Sequence, residues 1–134
     1  MLKALTIRFP YAALLVSGLK TIECRSWPTS HRGPLLIHAG KSKRALPEEF
    51  APLLDRIPPD ILAARGVCLG MVDLVDCRPA RPDDRTAMLI GAAPAKGDYA
   101  WVVANPRVFD RRPKAKGRLN LWPVPPAQCA EIGL

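Results

Sequence analysis

Fifteen prolines in 134 residues most constrain what this chain can fold into. Proline lacks a backbone N–H and its ring clashes with the preceding helical turn, so it suits helix starts, edges and turns rather than element interiors. Spread from Pro10 to Pro126, the prolines leave no stretch for a long helical bundle. A fold of short strands and short helices with abrupt connections is expected. At this length one domain spanning 1–134 can bury roughly two-thirds of its unfolded surface, so its core needs no disulfide or metal staple.

Residues 2–9 alternate as a first strand does. Pro10 fits the first turn of a helix, 11–17 form that short apolar helix, and Gly18 is its stop, because glycine enters the left-handed region cheaply. A second strand is expected at 20–27, a turn at 29–33, a third strand at 34–39 and a basic loop at 40–44. Residues 46–57 have helical spacing, with Glu48 and Glu49 in the first turn where carboxylates favour the helix dipole, and Pro58 and Pro59 end the run. The longest β-like stretch is 67–77. Residues 78–96, rich in Pro, Asp and Arg, read as a loop with one helical turn around 85–90. Two last strands, 99–104 and 119–124, flank the basic segment 105–118. Six strands with two or three short helices, out of regular βαβ order, predict an α+β fold. Its form would be a small, mixed, partly open β-barrel with helices plugging its ends.

The formal net charge is +8, which concentrates polyanions at the surface of so small a domain, although basic proteins are often merely soluble. Charge of this kind carries no sequence specificity. No apolar run approaches the ~18 residues of a membrane span. The apolar stretch 9–19 is interrupted by Pro10 and followed by Lys20 where a cleavage signal needs small residues, so it belongs to the fold. Cys24, Cys68, Cys77 and Cys129 form no C-x-x-C pair and have only His31 and His38 to assist, so neither zinc nor another cofactor is expected. Reduced thiols and a cytoplasmic, monomeric domain follow as expectations.

The segment Gly18-Leu19-Lys20-Thr21-Ile22-Glu23-Cys24-Arg25-Ser26-Trp27 is the richest in chemistry. On a strand, Thr21, Glu23 and Arg25 share one face, and Lys20 at the turn can reach the same cleft. An ammonium, a carboxylate and a guanidinium held together bind polar ligands by charge-assisted hydrogen bonds, with arginine presenting a planar fork to phosphate or a base edge. The alternative is a solvated ladder of exchanging ion pairs, worth little to stability. Asp73 is in phase with Val67, Leu69, Met71 and Val75. If that phase faces the interior, Asp73 needs a cation such as Lys20 or Arg25; if Val72 and Leu74 point inward instead, it is solvated. A sheltered pocket shared by the turn after Gly18 and the strand of Asp73 is the spatial expectation.

Arg111, Arg112, Lys114, Lys116 and Arg118 crowd one segment between strands containing Trp101 and Trp122, and Lys41, Lys43 and Arg44 follow the third strand. Such loops contact phosphates, and neighbouring aromatics can stack on unpaired bases. A charge run is more often plain solvated loop, and both tryptophans suit the core better than a platform. His38, within an apolar strand, reads more readily as a satisfied core histidine than as an acid or base, and His31 in its turn is uninformative. Ser26 has no histidine or acid at triad spacing.

Together these segments resemble the ASCH family. The likeness is carried by K-A-L-T-I-R-F-P-Y-A at 3–12, by Gly18-x-Lys20-x-x-Glu23-x-Arg25-Ser26-Trp27, by R-G-P-L-L-I-H-A at 32–39, by 66–75, by G-D-Y-A-W-V at 97–102 and by 117–122. The resemblance implies a PUA-like barrel with a ligand cleft beside the G-x-K-x-x-E-x-R signature, and an RNA or nucleotide ligand. Carried over by position, Lys20, Glu23, Arg25 and Asp73 would line the cleft, with Ser26, Trp27 and His38 nearby. A similar branch hydrolyses acetylated cytidine using a lysine, a threonine three residues later and an acid on the strand equivalent to 67–77. Lys20 and Asp73 fit that pattern, whereas Glu23 stands at the threonine position with Thr21 as the nearest hydroxyl. A hydrolase acting on RNA or a modified nucleoside, with Lys20, Glu23 and Asp73 catalytic, is therefore the alternative. Lys41, Arg111, Arg112, Lys114 and Lys116 would contact the ligand's phosphates in either case.

Overall fold

The computed structural model describes residues 1–134. Its frame is one six-stranded mixed sheet, order β2-β5-β4-β3-β1-β6, curled into a half-barrel. The strands are β1 (Lys3–Phe9), β2 (Ile22–Arg25), β3 (Gly33–Lys43), β4 (Val67–Pro79), β5 (Tyr99–Val108) and β6 (Trp122–Pro123). Only β1 and β3 run parallel. The helices are short: α1 (Tyr11–Val16), α2 (Pro59–Leu62), α3 (Arg85–Met88) and α4 (Pro126–Ile132). No helix is long and apolar enough to cross a membrane.

Every residue of α1 is buried, as expected of a helix apolar all round that plugs the barrel. It packs with Leu5, Ile7, Leu35, Ile37, Leu69, Val72, Leu74 and Trp101 in the main core. Gly18 has φ +79, and the amides of Leu19 and Lys20 both donate to the Leu14 carbonyl, turning the chain sharply into β2. Strand β3 lies between β1 and β4 and is buried from Leu35 to Gly40, which accounts for its unbroken apolar run.

Several expected elements differ in extent or type, the 119–124 strand shrinking to Trp122–Pro123 among them, and one helix is new. Residues 40–43 continue β3 rather than looping, because Lys43 pairs with Phe9. The 46–57 helix is a 3-10 helix over Glu48–Arg56; Pro52 inside it can neither donate nor tolerate the α-helical turn before it. Strand β5 runs past Ala104 to Val108 through a bulge, with Asn105 at φ +51 and Pro106 where the ladder is already broken. The tail adds α4, unforeseen although Pro126 at its start and Gly133 (φ +96) after its end are the ordinary start and stop signals. The helix closes a second cluster with Ala4, Leu36, Cys68, Met71, Phe109 and Trp122.

Candidate functional site

Strand β2 is the sheet's edge, paired antiparallel to β5 so that Glu23 lies opposite Trp101. Its turn from Gly18 delivers Lys20 to the same place, and the three signature side chains converge. Glu23 Oε1 is 3.4 Å from Lys20 Nζ, and Glu23 Oε2 is 2.8 Å from Arg25 Nη2. Arg25 Nε also donates to Oε2 at 2.8 Å, while Nη2 donates to the Thr6 carbonyl at 3.0 Å. The guanidinium is thus clamped between β1 and β2, and its Nη1 has no intramolecular partner.

Lys20 is only 2% exposed. What makes that burial tolerable comes from the excursion 78–96: Nζ donates to the Met88 carbonyl at 2.6 Å, at the end of α3. Leu89, at φ +58, turns its own carbonyl to accept from the Tyr11 hydroxyl at 2.8 Å. The Lys20 ammonium also lies 5.0 Å from the Tyr11 ring centroid. Burial lowers the Lys20 pKa, and Glu23 opposes that shift. For Glu23, burial alone would raise the pKa, but Lys20 and Arg25 outweigh it and hold the carboxyl below its usual range. The cluster is a buried ion triad with one guanidinium edge open.

Around it is a cavity of about 280 Å³, lined by the triad with Tyr11, Ser26 and Trp27. Thr6, Arg8 and Arg44 complete its polar rim. Sequence reasoning missed Thr6, Arg8 and Tyr11 as lining residues, and read Arg44 only as one of the phosphate-contacting cations after the third strand. Tyr11 sits in a helix that is otherwise core, and Arg44 reaches the cleft because β3 extends alongside β1, with its amide bonded to the Phe9 carbonyl.

Asp73 is not in this cleft. Its carboxylate accepts from Asn105 Nδ2 at 2.9 Å and from Arg107 Nη2 at 3.2 Å, and its pKa is lowered by those bonds. The expected meeting of Asp73 with Lys20 or Arg25 therefore does not occur. The physical reason is a bulge: Ile37 pairs with Gly70 but His38 with Cys68, so Leu69 is an extra residue in β4. Phase counted from Val67 and Leu69 reverses there, and Val72 and Leu74 take the main-core side.

His38 is 2% exposed and fully bonded. Its Nε2 donates to the Ala115 carbonyl at 2.6 Å, so Nδ1 accepts from the Thr6 hydroxyl at 3.2 Å, and burial lowers its pKa. It lies on the floor of a second, larger groove that Lys41, Lys114 and Lys116 also line. Arg111 and Arg112 line neither cavity. Arg112 is tied to the Phe109 carbonyl and to Asp60. Trp101 and Trp122 are core, 0% and 4% exposed, and Trp101 Nε1 donates to the Trp27 carbonyl. All four cysteines are free thiols; Cys24, whose thiol donates to Asp98, is pushed up to about 11 by burial and that carboxylate. His, Cys, Asp and Glu side chains form no group of three that could hold a metal ion.

Comparison with known proteins agrees with the fold. The chain is 31% identical over 128 residues to activating signal cointegrator 1 of Mus musculus, and 30% identical to that of Homo sapiens. Each match covers 88% of this chain but 21% of the relative, so the chain spans about a fifth of the length of the curated relatives it matches. The crystal structure of ASCH from Zymomonas mobilis superposes with a TM-score of 0.64, covering 98% of this chain and 93% of that one at 10% identity. The ASCH domain matches residues 5–112, from β1 through β5, and the chain belongs to the ASCH domain family, with the PUA-like half-barrel that membership implies.

Proposed function

We propose that this domain binds RNA or a nucleotide through the Lys20–Glu23–Arg25 cleft. The observation that carries the reading is the clamped Arg25 guanidinium, oriented by Glu23 and the Thr6 carbonyl with Nη1 left for a ligand. A pre-set planar donor costs little entropy on binding and matches a phosphate or the acceptor edge of a base. The remaining polar groups at the rim, Thr6, Arg8, Ser26 and Arg44, add donors around it. Trp27, half-buried and packed edge-on against Trp101 at 4.7 Å, offers an aromatic wall. RNA binding is general in the family, and an excess of positive charge suits it.

Titrating nucleoside monophosphates into the wild type and Arg25→Ala tests this. Arg25 is a quarter exposed and Glu23 keeps Lys20, so the variant should stay folded with a smaller drop in melting temperature than Glu23→Ala, while affinity falls about ten- to a hundredfold, the worth of a charge-assisted hydrogen bond or two. Arg25→Lys keeps the charge without the fork and should recover only part of the loss. Equal affinity in all three proteins would end the proposal.

A hydrolytic reading has one observation in its favour, the lowered pKa of Lys20, which suits a proton-transfer group. Against it, the Lys20 donors are already given to Glu23 and Met88. Incubation with acetylated cytidine or single-stranded RNA at high enzyme concentration decides: turnover abolished by Lys20→Met would support it, and none in the wild type would retire it.

A further inference from the structure

Beside the cleft lies a groove of about 1030 Å³ whose charges are all of one sign: Lys41, Arg65, Lys114, Lys116 and Arg118 line it, and no carboxylate does. None of the five is ion-paired, so no carboxylate of the chain offsets their charge. Five like charges at one place repel one another and are relieved by a polyanion. Two of the heads are held in position by aromatic rings: Arg65 lies 3.5 Å from the Phe9 centroid and Arg118 5.6 Å from that of Trp122.

The groove is built rather than draped. Lys114 bridges to Val67, the Cys68 amide donates to the Pro113 carbonyl, and the Ala115 amide donates to the Gly66 carbonyl. His38 fixes the Ala115 carbonyl from below. A Cβ on Gly117 would come within 3.1 Å of Thr6 and 3.3 Å of His38, so the absence of a side chain there lets this wall rest on the floor. Thr6 joins the two cavities, lining both: its hydroxyl meets His38, and its carbonyl takes Arg25.

We infer that the groove is a phosphate-binding track for a single-stranded polynucleotide, one nucleotide of which enters the cleft while the flanking backbone runs over Thr6 into the five cations. The inference rests on the nucleotide reading of the cleft for the base that enters it. Single strand rather than duplex follows from the cleft: a paired base must first be unstacked and flipped to reach it, a cost that an unpaired base does not meet.

The test uses the full chain and a fluorescein-labelled single-stranded RNA of about ten nucleotides, within the range of single-strand site sizes. Its comparison ligands are a labelled DNA strand, the RNA duplex of the same sequence and a mononucleotide. Lys114, Lys116 and Arg118 are exposed, so the triple variant K114A/K116A/R118A should melt as the wild type does. Its plot of log affinity against log salt should flatten by about 2, since each single-strand phosphate contact contributes roughly 0.7 to the slope. Its affinity for the mononucleotide should not change. An unchanged slope, duplex bound as tightly as single strand, or no oligonucleotide binding at low salt would each overturn the track. If the mononucleotide does not bind but the oligonucleotide slope still falls in the triple variant, the track stands and the cleft reading alone is lost. RNA against DNA affinity reports which polynucleotide the phosphates belong to.

Discussion

Glu23→Ala is expected to lower the unfolding free energy by about 3–5 kcal/mol, because it strips a buried cation of its counter-charge. Lys20 would keep only the Met88 carbonyl at 2.6 Å and the face of the Tyr11 ring, in a place where 2% of it sees solvent. Arg25 can swing into water; Lys20 cannot. The double variant Lys20→Met/Glu23→Leu should recover most of that loss, since replacing a buried pair with apolar groups of similar volume is often neutral or better. Urea denaturation at neutral pH compares the three. A loss under about 1 kcal/mol in Glu23→Ala would mean that water reaches the pair and that the triad is a surface ladder of the ordinary kind. The pH dependence has a defined sign. Glu23's carboxyl is held low in the folded state, so its contribution is present above the unfolded carboxylate pKa and fades as pH falls.

The second large effect lies at Asp84, one of several acidic residues in the segment 78–96 that no local pattern tells apart. Its carboxylate receives both Arg78 Nη1 and Nη2 at 2.8 Å and the Arg81 amide at 2.7 Å, and those bonds bring its pKa down to about 2. Against an unfolded value near 3.9, that shift is worth about 2–3 kcal/mol. The group's folded pKa is depressed, so this stability is fully present above about pH 4 and lost as pH falls toward 2. Asp84→Asn should cost about 2 kcal/mol and flatten the acid limb of the stability–pH curve; Asp84→Ala should cost about 3 kcal/mol, leaving Arg78 unpaired. Because Asp84 anchors the segment whose Met88 and Leu89 carbonyls cover Lys20 and Tyr11, both variants should also weaken cleft binding. An acid limb identical in Asp84→Asn and wild type would sink this account.

Much of the site was legible from local chemistry. The G-x-K-x-x-E-x-R spacing has its physical content in a glycine stop and a period-2 strand, and both depend on adjacent residues alone; Gly18 turns as expected and Lys20, Glu23 and Arg25 meet. The basic segment was legible as charge but not as a surface. Lys114, Lys116 and Arg118 reach a common groove with Lys41 and Arg65, while Arg112 turns to Asp60, and no spacing rule separates these outcomes. Arg65 carries no local signal, because its partner, Phe9, is far away in the chain.

Strand identity, the buried first helix and the place of the charged signature came from residue order, because proline, glycine and hydrophobic period act within a few positions. Tertiary structure decided the rest. One extra residue in β4 turned Asp73 away from the cleft, and a carbonyl 68 positions from Lys20 made its burial affordable. Strand pairing and carbonyl placement join segments remote in sequence, and their energies depend on neighbours that no local pattern names.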